Sequence, residues 1–335
     1  MKLTNLKGLT AVMVACATLT APLMASAVEL KYSSAAPANS PWAKMIQVLV
    51  DGTAAKTNGE VVIKTFLSNQ LGDEATVIQQ VARGRVDMGG FSLTAVALVV
   101  PELALLSAPF LWDNDEQMAC ALDQHLVADF QPYFDAHGLV NMGWGEAGYQ
   151  TVFSQTAITK VSDLADLKIR VAPAKASVLA FKSVDANGIV LPSSDLNASL
   201  QTGLITAAEI NITFGVLTGV GQQAPIVTKT NHIYLPSLSV MSKKTFSELT
   251  KEQQEALMSS SMPPAAQRAT LRGVEGALTK KLLAAGGKVI EMDAGERDKL
   301  KEKMVATTPD LIKEIGGDAP AAWDLIQKAK AACAG

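Results

Sequence analysis

The feature that most constrains the fold is an alternation of predicted strands and helices along the first hundred residues. Residues 29–33 are predicted as the first strand, and residues 61–66, which are β-branched and aromatic, as the next. One helix begins near Pro41, and a second, favoured by Asp73 at its start, ends at Gly84. Because strands separated by helices usually pair in parallel, this pattern predicts an α/β fold with a largely parallel sheet.

The segment "GWGEAG" at 143–148 matches the glycine spacing of a dinucleotide-binding loop. Such a loop needs a helix directly after it, because helix N–H groups hold the phosphates. The residues that follow, "YQTVFS", are aromatic and β-branched and predict a strand instead. The glycines are therefore interpreted as a turn between strands at 139–144 and 149–153.

Pro263 and Pro264 interrupt a helical pattern that runs from 251 to 285. Proline lacks the backbone N–H and clashes with the preceding turn, so a helix over this range must break or kink there.

Composition limits the classes of function. The chain has 335 residues, enough for two domains, and is 48% hydrophobic and only 18% charged, so it can bury a large core. The formal net charge of −3, without any basic run, argues against a nucleic-acid partner. The three histidines, at 125, 137 and 232, are scattered, and no metal or catalytic motif accompanies them. Neither an enzyme nor a cofactor is indicated, and His232 is interpreted as structural.

The first 27 residues have the pattern of a cleaved signal peptide. Lys2 and Lys7 precede an apolar stretch at 9–23, and Ala25-Ser26-Ala27 forms a cleavage signal. A retained membrane anchor and a lipoprotein signal ending at Cys16 are the alternatives. No other segment reaches about 20 apolar residues, so export to the periplasm without membrane insertion is predicted.

Two of the three cysteines, Cys120 and Cys333, remain after the signal is removed. An exported protein can form a disulfide, and the number is even. Two separate buried thiols fit the sequence as well, because spacing alone does not show whether the Cα atoms come close.

Arg170 needs an explanation of its own. In "DLADLKIRVAP", Leu167, Ile169 and Val171 alternate with Lys168 and Arg170, which is the pattern of a short strand with one apolar face. The arginine is either solvated or a fixed cation that binds an anion, and the stretch alone leaves both possibilities open.

Five stretches, in order and in register, resemble one family over nearly the whole mature chain. The stretches are "SNQLGDEATVIQQVARGRVDMG" (68–89), "PELALLSAPFLW" (101–112), "DLADLKIRV" (163–171), "SLQTGLITAAEIN" (199–211) and "TNHIYLPSLSVMSKKTF" (230–246). They resemble the substrate-binding proteins of TRAP transporters, the DctP-like periplasmic family (family 7 of the extracellular solute-binding proteins).

The resemblance implies a two-domain periplasmic binding protein fold. Each domain would be a mixed sheet flanked by helices, with the ligand cleft between the domains. We expect domain I at 28–147 plus 235–274 and domain II at 148–234 plus 275–335. The protein would be a monomer that delivers a small carboxylate to the membrane subunits of a TRAP transporter. In the family the late helix runs unbroken through both domains, so the proline pair is a departure.

The resemblance also implies the ligand site. Arg170 would bind the ligand's carboxylate, because a guanidinium can donate two parallel hydrogen bonds to it. Asn211 would use its amide, and Gln150 stands where relatives that bind dicarboxylates or sialic acid carry a second arginine. The full set of expected ligand-binding residues is Glu74, Phe91, Ser92, Tyr149, Gln150, Arg170, Ser193, Asn211 and Phe214.

The absence of a second arginine favours a monocarboxylate with an apolar or aromatic body, such as a 2-oxo or aryl acid. The alternatives are a C4-dicarboxylate or a sugar acid as ligand, or a sensor that presents its ligand to a membrane receptor. An exported enzyme is disfavoured, because no catalytic set is readable in the sequence.

Overall fold

The computed structural model describes residues 27–334. The predicted signal peptide lies outside the described residues, apart from Ala27. Among the described helices, none is both long and apolar enough to cross a membrane.

Nine strands of the described chain form one mixed sheet, in the order β2-β1-β3-β8-β4-β7-β5-β6, with β9 paired to β8. Strand β8 pairs in antiparallel orientation with β3 and with β4, and β4 pairs in antiparallel orientation with β7, whereas the other pairs are parallel. The predicted α/β class is correct, and the sheet is mixed. The strands are β1 (Val28–Ser34), β2 (Val61–Phe66), β3 (Met88–Ser92), β4 (Leu139–Ser154), β5 (Lys168–Val171), β6 (Asn187–Val190), β7 (Ala207–Ile210), β8 (Ile226–Ser242) and β9 (Lys288–Ile290).

The long strands β4 and β8 connect the two halves of the sheet. They pair with each other along almost their whole length, with β3 on one side and β7 on the other. The predicted turn at 143–148 is wrong, because these residues continue a single strand. The register is interrupted near Gly143 and Gly148, whose positive φ angles of 146° and 112° suit glycine, so the extra residues form bulges.

Helices cover both faces of the sheet, and the late helix is broken where the prolines predict. It ends at Met258 and restarts at Pro264. The helices are α1 (Pro41–Lys56), α2 (Glu74–Ala82), α3 (Leu93–Val96), α4 (Asp115–Cys120) continued by a π-helical segment (Ala121–Leu126), α5 (Val127–Ala136), α6 (Lys175–Lys182), α7 (Leu196–Gln201), α8 (Ile212–Leu217), α9 (Val220–Gln223), α10 (Lys243–Ser247), α11 (Lys251–Met258), α12 (Pro264–Ala284), α13 (Ala294–Val305), α14 (Thr308–Ile315) and α15 (Ala319–Ala332).

The C-terminal helices pack onto the first half of the chain. Leu311 and Ile326 share a hydrophobic core with Phe134 and Trp144, whereas Leu300 of α13 lies in a core of the second half. A disulfide joins Cys120 to Cys333. The expected domain II, 275–335, therefore contains a C-terminal part that packs with expected domain I.

Candidate functional site

A cavity of about 200 Å³ lies where the two halves of the sheet meet. Residues from α1, α2, β3, β4 and β8 line one side, and residues from β5, the β6–α7 connection and α8 line the other. Eight of the nine residues expected from the sequence line this cavity. They are Glu74, Phe91, Ser92, Gln150, Arg170, Ser193, Asn211 and Phe214.

Arg170 is a buried cation in the wall of the cavity. It is only 5% exposed, because β6 and β7 flank its strand. Its Nε donates to the carbonyl oxygen of Leu191 at 2.8 Å and its Nη1 to that of Glu209 at 2.7 Å. Within residues 27–334 its Nη2 makes no hydrogen bond, so the guanidinium has donors left for an anion. Burial lowers the pKa of Arg170 to about 10, and the charges of Glu209 and Glu74 oppose that shift, so it stays charged at neutral pH.

Glu209 interacts with Arg170 through its carbonyl oxygen and its charge, and it does not line the cavity. Its carboxylate accepts hydrogen bonds from the backbone N–H of Ala172 at 2.9 Å and from the Ser177 hydroxyl at 2.8 Å. His232 Nε2 lies 3.2 Å from the same carboxylate. Burial alone would raise the pKa of Glu209, but the hydrogen bonds from His232 and Ala172 and the charges of His232 and Arg170 bring it below its ordinary value.

His232 has the structural place expected from the sequence. It is fully buried, its Nδ1 lies 2.9 Å from the Thr230 hydroxyl, and its ring packs edge-on against Phe181. Since both ring nitrogens have protein partners, His232 orients Glu209 and has no free nitrogen for a ligand or a metal.

Glu74 places a carboxylate across the cavity from Arg170. It begins α2, and it accepts hydrogen bonds from the backbone N–H of Ser92 at 2.7 Å and from the Ser92 hydroxyl at 2.8 Å. The Ser92 hydroxyl also lies 2.8 Å from that of Thr94. Burial raises the pKa of Glu74, while Ser92 and the charge of Arg170 act in the opposite direction. This group of oxygens can accept hydrogen bonds from ligand hydroxyls.

Two amides lie in the wall near Arg170. Asn211 caps α8, with its Oδ1 accepting from the backbone N–H of Phe214 at 2.8 Å, which leaves its NH₂ group to donate. Gln150 is only 5% exposed, and its side chain makes no hydrogen bond within residues 27–334. Because Gln150 lines the cavity, its amide can donate to and accept from a ligand there.

Aromatic rings complete the wall. Phe91 is buried on β3, and Phe214 lies on α8, with its ring centroid 6.2 Å from that of Trp42. Trp42 is fixed by its Nε1, which donates to the carbonyl oxygen of Glu146 at 2.9 Å. Such rings can pack on the apolar face of a ligand.

Tyr149 is the expected site residue that does not line the cavity. Its hydroxyl donates to Asp115 Oδ1 at 2.7 Å, and Asp115 pairs in turn with Arg272 at 2.8 Å. Its ring packs edge-on against Tyr234. Successive strand residues point to opposite faces of a sheet, so with Gln150 facing the cavity its neighbour Tyr149 faces away.

Sequence reasoning missed several lining residues. Trp42 and Gln267 come from the starts of α1 and α12, and Ser237 and Ser239 lie on β8. The only signal for the serines is their period-2 spacing in "PSLSV", which becomes informative once β8 is known to be central.

Within the described chain, Cys120, Cys333 and His125 place three potential metal-ligating atoms close together. Both cysteines are joined in the disulfide, so neither provides a thiolate for a metal in this state.

The described residues that line the cavity provide one cation (Arg170), two carboxylates (Asp73 and Glu74), amides, hydroxyls and aromatic rings. This arrangement suits reversible binding of a small organic anion that carries further hydrogen-bonding groups. Residues 32–314 match the family described as bacterial extracellular solute-binding protein, family 7, and the chain belongs to this family, the substrate-binding proteins of TRAP transporters.

Three similar proteins illustrate the relationship. The chain is 25% identical to a solute-binding protein of Chromohalobacter salexigens, over 83% of each chain. It is 31% identical to the 2,3-diketo-L-gulonate-binding periplasmic protein YiaO of Escherichia coli, over 61% of this chain and 63% of the other. A crystal structure of a TRAP periplasmic solute binding protein from Xanthobacter autotrophicus Py2, with bound β-D-galacturonate, is 27% identical with a TM-score of 0.83 over 90% of this chain and 99% of the other.

The predicted family and the predicted two-domain α/β fold class are therefore confirmed. Members of this family are extracellular or periplasmic solute-binding proteins rather than enzymes, and they serve TRAP transporters for small acids.

Proposed function

We propose that this protein binds a sugar acid in the periplasm and delivers it to the membrane subunits of a TRAP transporter, without catalysis. Arg170 binds the carboxylate through its free Nη2 and remaining Nη1 hydrogen. The observation that carries the proposal is the buried cation Arg170, which faces a cavity whose other described lining residues are uncharged apart from Asp73 and Glu74.

The choice of a sugar acid rests on the groups around Arg170. Glu74, Ser92 and Thr94 offer hydroxyl-binding oxygens, and the unpaired amide of Gln150 can both donate and accept. Trp42 and Phe214 can pack against the C–H face of a sugar ring. The ligands named for YiaO and for the Xanthobacter protein support this choice. The expected monocarboxylate with an apolar or aromatic body has less support.

A ligand in this position touches both halves of the molecule. Glu74 comes from the segment expected to be domain I, and Arg170 and Asn211 from domain II, so a bound acid favours a closed arrangement of the two. We assign domain I to 28–147 plus 235–274 and domain II to 148–234 plus 275–310, and place the C-terminal residues with domain I because of their packing. We propose that the protein acts as a monomer after its signal peptide is cleaved.

The test is calorimetric titration of the mature protein with galacturonate, galactonate, glucuronate, succinate and a neutral hexose. We expect sugar acids to bind and the neutral hexose not to bind. Arg170→Ala should weaken binding by at least about 30-fold, because truncating one partner of a buried charge pair costs 2–5 kcal/mol.

Lys168→Ala is the matched control, since Lys168 is an exposed cation two residues earlier on β5. Unfolding curves check that each variant is folded, and Arg170→Lys provides a second variant that keeps the charge but loses the planar fork. Equal affinity of wild type and both Arg170 variants for a sugar acid would contradict the proposed role.

A further inference from the structure

The cavity continues from Arg170 into the first half of the molecule over a floor of glycines and serines. These residues form two rows of cross-strand partners. The first row crosses the four neighbouring strands β1, β3, β8 and β4, and the second crosses β3, β8 and β4 at positions two residues away from the first. The first row is Ser34, Gly90, Ser239 and Gly143, and the second is Ser92, Ser237 and Gly145. A Cβ at Gly145 would lie 2.6 Å from Gln267 Oε1 and 2.7 Å from the Ser237 hydroxyl, so any larger residue there would displace these side chains. The small residues keep the floor free of bulky side chains.

The cavity is longer than one sugar acid. Gln150, near Arg170, is opposite Ile233 on β8, and Gly143 at the other end is opposite Ser239. Six residue steps along β8 separate these partners, which corresponds to about 20 Å at about 3.3 Å per residue. A six-carbon acid has five C–C bonds of about 1.5 Å and spans at most about 8 Å. An acid bound to Arg170 therefore leaves the far end of the cavity free.

The walls of this far end are mainly apolar. Met45, Ile46 and Leu49 of α1 line the cavity, and Ile46 and Leu49 share a hydrophobic core with Tyr32. Met262, in the break between α11 and α12, lines the cavity as well. Tyr32 lies at the same end, with its hydroxyl 3.2 Å from that of Ser239. We name this region, bounded by Tyr32, Met45, Ile46, Leu49 and Met262, the distal arm.

We propose that the distal arm binds an apolar group carried on the glycosidic oxygen of the ligand, so that the ligand class is a uronic acid glycoside with an aryl or alkyl substituent. In a uronic acid ring the glycosidic carbon C1 and the carbon C5 that carries the carboxylate flank the ring oxygen, and their equatorial substituents point away from each other. With the carboxylate on Arg170, the substituent extends along the glycine and serine floor towards Met45 and Met262. This inference rests on the proposed sugar-acid function and adds the substituent.

The experiment compares the methyl and phenyl glycosides of D-galacturonic acid by calorimetry, with free galacturonate as the reference. Both glycosides share the carboxylate and the ring, and they differ only in the apolar group. We expect the phenyl glycoside to bind at least about tenfold more tightly than the methyl glycoside, since each added methylene in an apolar pocket is worth about that much.

Two aspartate variants locate the effect. Met45 lines the cavity, whereas Val48, three residues later on α1, is exposed and does not line it. Met45→Asp should reduce the phenyl-to-methyl affinity ratio to about one, and Val48→Asp should leave the ratio as in the wild type. Met262→Asp, in the loop between two helices, provides a second variant in case Met45→Asp does not fold.

The outcomes separate the two proposals. Suppose that galacturonate binds but the phenyl glycoside binds no more tightly than the methyl glycoside, or that neither Met45→Asp nor Met262→Asp changes the phenyl-to-methyl affinity ratio. Either result overturns the distal arm proposal and leaves the sugar-acid function standing. If neither free sugar acids nor glycosides bind, the proposed function fails, and this inference fails with it.

Discussion

At the scale of single residues, Arg170 depends on the charged groups around it. A buried guanidinium is costly unless it is paired, and Arg170 has Glu209 behind it and Glu74 across the cavity. Glu209 is itself held by Ser177, Ala172 and His232. The orientation of the cation is therefore set before a ligand arrives, which reduces the entropic cost of binding.

Glu209→Gln should lower the free energy of unfolding by about 1.5–3 kcal/mol at neutral pH, because hydrogen bonds to a buried charged group are lost. The pKa of Glu209 is lower in the folded than in the unfolded protein, so its stabilising contribution is fully present above the unfolded value of about 4.3. That contribution disappears as the pH falls through the lower folded pKa. Urea unfolding of both proteins between pH 7 and 3 should show the difference narrow below about pH 4.3.

Glu29→Gln is the control for this experiment, because Glu29 forms an exposed ion pair with Lys64 on the sheet edge. It should change stability little at any of these pH values. A difference between wild type and Glu209→Gln that is independent of pH would indicate that the carboxylate's charge contributes nothing.

At the scale of elements, Asn211 at the N-terminus of α8 both caps the helix and lines the cavity. Asn211→Asp keeps the Oδ1 atom that caps the helix but replaces the NH₂ donor with a negative oxygen. We expect the free energy of unfolding to change by less than about 0.5 kcal/mol, since Asp and Asn cap equally well. Affinity for a sugar acid should fall at least about tenfold, because the ligand's carboxylate meets a like charge. Urea unfolding and calorimetry on the same preparation measure the two effects.

Asn211→Ala loses the cap as well, and its unfolding free energy should fall by about 1 kcal/mol. If Asn211→Asp binds the acid as tightly as the wild type, Asn211 is a cap and not a ligand-binding residue.

The sequence predicted elements well where local signals agree. The helix break at Pro263 and Pro264 follows from proline chemistry alone, and the arginine at 170 was found through its strand pattern and the family resemblance. The continuous strand β4 was missed because "GWGEAG" has the local composition of a turn, and only pairing with β8 keeps it extended. For the same reason the side to which Tyr149 points could not be predicted, because bulges change which face each residue occupies.

The distal arm was also beyond sequence reasoning. Its floor combines residues from β1, β3, β8 and β4, which are adjacent only in the folded sheet. Single glycines and serines in a strand carry no local signal, and the alignment of seven of them depends on the register between strands.

At the scale of the whole molecule, four connections join the two halves. Strands β4 and β8 run from one half of the sheet to the other, α12 follows them, and the segment after α13 returns the chain to the first half. Helix α15 therefore packs against the hydrophobic core that contains Phe134 and Trp144. The disulfide attaches the end of that helix to the end of α4, so a covalent bond also holds the C-terminal segment to the first half of the molecule.

Cys333→Ser should lower the free energy of unfolding by about 2–4 kcal/mol, because the disulfide removes conformational freedom from an unfolded chain whose crosslinked residues are 213 positions apart. Urea unfolding of the wild type with and without dithiothreitol should reproduce this difference, and dithiothreitol should have no effect on the variant. The double variant Cys120→Ser, Cys333→Ser is the control and should match the single variant, since either change removes the same bond. Sugar-acid affinity should stay within about twofold of the wild type, as neither cysteine lines the cavity. A wild-type midpoint that dithiothreitol leaves unchanged, with reduction verified by thiol titration, would show that the packing of α15 alone holds the C-terminus in place.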